Sequence, residues 1–247
     1  MDNNIQNKLK ISLIINIIIL ILGISSIIIE ISKTFLYKDN FYGEFYDVFR
    51  YFTIDGNLYT IITIIILLIN WKNNSNKFLY FLSLSSVISE FIIFIVVMFI
   101  IVPFSGVIYI NSYTGMSLHI FIPILIAFRF LYCEFKNNDN SILLKLSGAF
   151  PILIYGIIIS ILISFKIIEN NKIPYEFLNY HNNPIWLNIL VLILFPIFTI
   201  FFSILFNFLN LKFGNEYINN DDCYTNKGND DTFEISDSQN SELSFIK

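Results

Sequence analysis

The chain has 247 residues, 55% of them hydrophobic and only 14% charged, with a mean hydropathy of +0.67 and a formal net charge of −4. This balance excludes an ordinary soluble domain and offers no basic surface for nucleic acid. Cys133 and Cys223 are the only cysteines, and no CxxC, HExxH or HxxxH spacing occurs. Neither a disulfide framework nor a metal centre is expected, and the chemistry sketched below needs no cofactor.

The predicted elements are long apolar runs. A helix needs about 20 mostly apolar residues to cross a bilayer. Six stretches qualify: 11–32, 50–71, 78–102, 113–133, 146–168 and 184–209. They are rich in Ile, but they are too long for barrel strands and do not alternate. The expected fold is all-α, a polytopic integral membrane protein of six transmembrane helices, with one domain over residues 1–213. The first run reads as a retained span rather than a signal peptide, because it is long and no small-x-small site follows it before Glu30.

The loops carry their own signals. Loop 33–49 holds Tyr37, Phe41, Tyr42, Phe45, Tyr46 and Phe49, the density of an interfacial aromatic belt or of a lid over a site. Loop 169–183 contains Pro174-Tyr175-Glu176-Phe177-Leu178 and His181, with prolines that fix a bend. Lysines 8, 10, 72, 77, 136, 145 and 212 fall on the side of the N-terminus, which favours an N-in, C-in orientation. Residues 214–247 carry eight acids against Lys227 and Lys247 and read as an acidic, disordered cytoplasmic tail.

Ionisable groups inside spans are costly and are usually retained for a use. Four stand out: Asp55 and His119 near the outer ends of their spans, Glu90 mid-span, and Arg129 toward the inner end. Glu90 and Arg129 read first as an ion pair between the third and fourth spans.

Two polar islands open spans that descend from the same side: Tyr51-Phe52-Thr53-Ile54-Asp55-Gly56-Asn57 and Ser117-Leu118-His119. Taken alone, Thr53 is a good helix cap, Asp55 suits the helix dipole, and His119 suits a buried polar contact. Taken together, a hydroxyl and a titratable base lie at similar depth, and Asn57 shares the helix face of Thr53. Pro123 has no N–H for the carbonyl of His119, which opens the backbone beside that base.

The segment FRYFTIDGN, the His119–Pro123 pair and PYEFL resemble the androgen-induced protein / androgen-dependent TFPI-regulating protein family of six-span membrane threonine hydrolases, which includes bacterial six-span relatives. The likeness runs over most of residues 10–209 in the number and order of spans. It implies cleavage of fatty acid esters of hydroxy fatty acids, or similar lipids, within the membrane. Thr53 would then be the nucleophile and His119 the general base. The family pattern tends to an acid ten residues after its histidine, where this chain has Arg129; Glu90 is the acid that a charge swap would supply.

The resulting expectation is a lipid ester hydrolase whose substrate comes from the bilayer. Asn57 would serve the oxyanion, Asp55 would support the site, and Tyr175 and Phe177 would close the mouth. The alternatives are a small transporter or channel-like protein with a polar path through Glu90, Arg129 and His119, or a non-catalytic membrane scaffold.

Overall fold

The computed structural model describes residues 3–36, 49, 51–70, 76–107, 110–134, 136, 141–168, 173–175, 179 and 184–214. The chain divides into two units, Met1–Asn215 and Glu216–Lys247. The second unit, and with it nearly all of the expected acidic tail, lies outside the described residues, as do Phe177, His181 and most of loop 33–49.

Six principal helices build the first unit: α1 (Asn3–Leu36), α2 (Phe52–Ile69), α3 (Lys77–Ile95), α4 (Ile122–Cys133), α5 (Phe150–Ser164) and α6 (Ile185–Phe213). Each, with its short extensions, contains a run long and apolar enough to cross a membrane, and no strand occurs among the described residues. The all-α, six-span fold read from the sequence is the fold observed.

The distribution of polarity explains why this is a membrane fold. On α1, Ile14, Ile21 and Ile28 recur every seventh residue and are more than half exposed, while Ser12, Asn16 and Ser26 are buried. The same inversion holds elsewhere: Asn57, Thr60 and Thr63 on α2, and Ser83, Ser85, Ser86 and Ser89 on α3, are fully buried. Apolar side chains outside and small polar ones between helices are the expected arrangement when the solvent is lipid, because the lipid does not drive apolar groups inward.

Small residues set the helix approach. A Cβ on Gly56 would lie 2.7 Å from Ile93 Cδ1, and one on Gly148 would lie 2.7 Å from Ile88 and 2.8 Å from Ser203. Close contact then lets side-chain hydroxyls bond across the interface, as Tyr59 does with Ser85 and Thr60 with Glu90.

Two spans are not regular. After Ile95, α3 continues as a π-helical stretch, Val96–Ile101, and ends in Val102–Ser105. Before α4, a turn at Tyr113–Met116 leads into a second π-helical stretch, Ser117–Phe121. Each stretch is followed by a residue-proline pair, Val102-Pro103 and Ile122-Pro123. A proline cannot donate to the preceding turn, and the wider register is one way for the chain to accommodate it.

Candidate functional site

The site is built at the start of α2. Tyr51 is its N-cap, extended and without a side-chain cap bond, so Thr53 stands inside the first turn and does not cap the helix. The Tyr51 carbonyl accepts from the N–H groups of Ile54 and Asp55. That leaves the N–H groups of Phe52 and Thr53, which a helix start cannot satisfy internally. They are met from outside the helix: the Tyr175 phenolic oxygen takes hydrogen bonds from both, and Tyr155 on α5 takes one from Phe52.

Tyr175 also bonds the Thr53 side chain. Its ring stands edge-on to Tyr51 at 6.3 Å. Burial pushes the Tyr175 phenol up to about 12, although the donors from Thr53 and the backbone pull the other way. Tyr175 is therefore a neutral phenol near pH 7, able to donate or accept a hydrogen bond but unable to act as a base.

Thr53 and Tyr175 stand on the wall of a cavity of about 360 Å³. Its other walls come from the end of α3 and the first π-helical stretch (Ile93, Val97), from α5 (Ile152, Gly156) and from α6 (Phe195, Pro196). Nearly all of that lining is aliphatic or aromatic. The cavity lies within the part of the bundle that the six apolar runs define.

The second island meets the first through one side chain. Asn57 is fully buried, and its Nδ2 donates to the Thr53 carbonyl at 2.8 Å and to the Leu118 carbonyl at 3.3 Å. The π register explains the second bond. Ile122 N–H reaches back five residues to Ser117, so in this register Pro123 deprives Leu118, not His119, of a donor. The freed carbonyl of Leu118 is the one that Asn57 serves. The expected oxyanion role for Asn57 is corrected accordingly, because both amide hydrogens are engaged by backbone.

His119 is half-buried, and its ring feels the charge of Glu30 on α1. It is not among the residues lining the cavity that Thr53 borders. Asp55 has a different neighbour, the Tyr155 phenol of α5.

The inner pair is also corrected. Arg129 does not pair with Glu90. Its Nη2 lies 3.0 Å from Glu134 Oε2, its Nη1 donates to Ser83 Oγ at 2.9 Å, and Ser83 donates to the same carboxylate oxygen at 2.7 Å. Glu134 follows the last residue of α4 in an extended conformation, which turns its carboxylate back into the bundle. Glu90 is seven residues beyond Ser83 on α3, about 10 Å along the axis. There its Oε1 accepts from Thr60 at 2.8 Å. A charge swap that puts Glu90 on Arg129 is not what the chain does.

Sequence reasoning missed Tyr155, Gly156 and Glu134. Glu134 gave the clearest signal, an acid five residues after a buried Arg at the end of a span. Tyr155 and Gly156 gave none, because aromatic and small residues are ordinary inside spans.

Comparison with protein-family models, with curated proteins and with solved structures finds no match.

Proposed function

We propose that the chain is an intramembrane hydrolase of lipid esters, fatty acid esters of hydroxy fatty acids or close chemical relatives, with Thr53 as its nucleophile. The observation that carries this reading is the position of Thr53. Thr53 borders an apolar cavity at membrane depth, at a helix start whose first N–H groups receive partners from outside the helix. An ester needs a hydroxyl nucleophile, donors for its carbonyl oxygen and a dry place for its chain. The resemblance of FRYFTIDGN, His119–Pro123 and PYEFL to the six-span threonine hydrolases points the same way.

In this reading Thr53 Oγ attacks the ester carbonyl carbon and gives its proton to a base. The tetrahedral oxyanion collapses with loss of the alcohol, which takes that proton. Water then cleaves the acyl-threonine and releases the acid. The Phe52 and Thr53 N–H groups, now held by Tyr175 and Tyr155, are the donors nearest to the carbonyl oxygen. Tyr175 must yield them as the ester arrives, and as a neutral phenol it can turn to donate instead. The base is His119 by resemblance.

One observation favours a second reading, a lipid-binding protein without turnover: the cavity wall that carries Thr53 does not carry His119. Ester cleavage by the purified chain in lipid nanodiscs separates the two. The hydrolase reading expects acid and alcohol from the wild type, and loss of both in Thr53→Ala and His119→Ala. Bound but uncleaved ester in the wild type favours the second reading.

A further inference from the structure

Gly156, in the middle of α5, lacks a packing reason. A Cβ on Gly23, Gly56, Gly148 or Gly214 would meet another atom at 2.6–2.9 Å, so each allows a close approach. Gly156 is different. Nothing lies within 4 Å of a Cβ built there, and among the described glycines only Gly106 has a positive φ. Neither packing nor backbone conformation calls for glycine in the middle of α5, where it weakens the helix relative to alanine. Gly156 borders the cavity, so its missing side chain is cavity volume.

The same stretch of α5 faces two ways. Leu153, Ile157 and Ile161 border the cavity, yet they are 39%, 60% and 49% exposed. Gly156 itself is half-buried. A wall whose residues are at once cavity-lining and exposed is an opening, and at this depth it opens to lipid. Phe195 and Pro196 of α6 line the same cavity.

We propose that the gap between α5 and α6 at Gly156 is the lateral portal through which one acyl chain of a membrane lipid ester enters the cavity, and that Gly156 sets which chains are accepted. This deepens the reading given above and rests on it for the ester. The occupant follows from the chemistry of the walls. Apart from Ser160 the α5 and α6 residues along the passage are apolar or glycine, which suits an acyl chain and leaves a charged headgroup unsatisfied. Polar groups gather at the Thr53–Tyr175 end, where an ester carbonyl belongs.

The test uses the full chain in lipid nanodiscs and a long-chain fatty acid ester carrying a diazirine near the end of its chain. Irradiation should place crosslinks on α5 and α6 around Gly156 and Pro196. Gly156→Ala should crosslink nearly as the wild type does, and Gly156→Leu and Gly156→Phe about tenfold less, as a side chain fills the passage. A short-chain fluorophosphonate, which does not need the passage, should label all four proteins alike and so reports folding; if Gly156→Phe fails that control, Gly156→Leu carries the test. Wild-type crosslinking in the folded Leu or Phe variant, or crosslinks mapping away from this wall, overturns the portal. The two readings fail separately. If Thr53 takes no fluorophosphonate, folding is read from thermal melting, and crosslinks that still depend on residue 156 keep the portal while the hydrolase falls. If Thr53 is labelled but long-chain crosslinking ignores residue 156, the hydrolase stands and the portal falls.

Discussion

Arg129 shows how a single buried charge organises one end of the bundle. It is 2% exposed, and it is answered by Glu134, itself 3% exposed, with Ser83 bonding both. Breaking a buried pair by removing one partner leaves an uncompensated charge and typically costs 3–5 kcal/mol. We expect Arg129→Ala to lose about that much stability in detergent unfolding. A double-mutant cycle should show strong coupling between Arg129 and Glu134 and little between Arg129 and Glu90. The sequence exposed the ionisable residues but not their pairing. The acids that an Arg can reach are decided by where the chain turns after Cys133, and no periodicity records that turn. Thr53 was legible for a related reason: a polar run at the head of an apolar one is conspicuous. Its partner Tyr175 lies in a loop more than a hundred residues away, and only the expectation of a closed mouth anticipated its place.

At the scale of elements, the six spans were legible in full because hydropathy over twenty residues is a strong signal. Their internal register was not. The π-helical stretches Val96–Ile101 and Ser117–Phe121 each precede a residue-proline pair, and sequence reasoning placed the freed carbonyl of the second at His119. The structure moves it one residue back, to Leu118, where Asn57 reaches it at 3.3 Å. This gives a test of the register. Asn57→Ala removes the donor to a buried carbonyl, at a cost of about 1–3 kcal/mol. In a Pro123→Ala background residue 123 regains its N–H and can serve the preceding turn itself. The penalty for Asn57→Ala should then shrink clearly, as measured by unfolding of the four members of the cycle. An unchanged penalty would mean that Asn57 matters for some other contact.

For the whole molecule, the inverted distribution of polarity is the dominant fact. Serines, threonines and asparagines are buried between helices while isoleucines face outward, and this arrangement is stable only in an apolar solvent. The orientation that the lysine distribution predicts, with the N-terminus of α1 on the cytoplasmic side, is open to a direct test. With Cys223 replaced by Ser, a membrane-impermeant maleimide should modify Gly106→Cys in intact cells. It should modify Gln6→Cys only after permeabilisation; the reverse pattern inverts the orientation. The cavity of about 360 Å³ belongs to the opposite end of the bundle from the Arg129–Glu134 pair, so the charged network acts as a fixed base and the candidate chemistry sits away from it.

The proposed role of Thr53, a nucleophile on an intramembrane cavity, is open to direct chemical labelling. The most direct measurement is treatment of the purified chain with a fluorophosphonate, followed by mass spectrometry of the modified peptide. One adduct is expected, on Thr53, absent from a folded Thr53→Ala variant and displaced by a long-chain lipid ester. Equal labelling of Thr53→Ala, or an adduct on another residue, would contradict it.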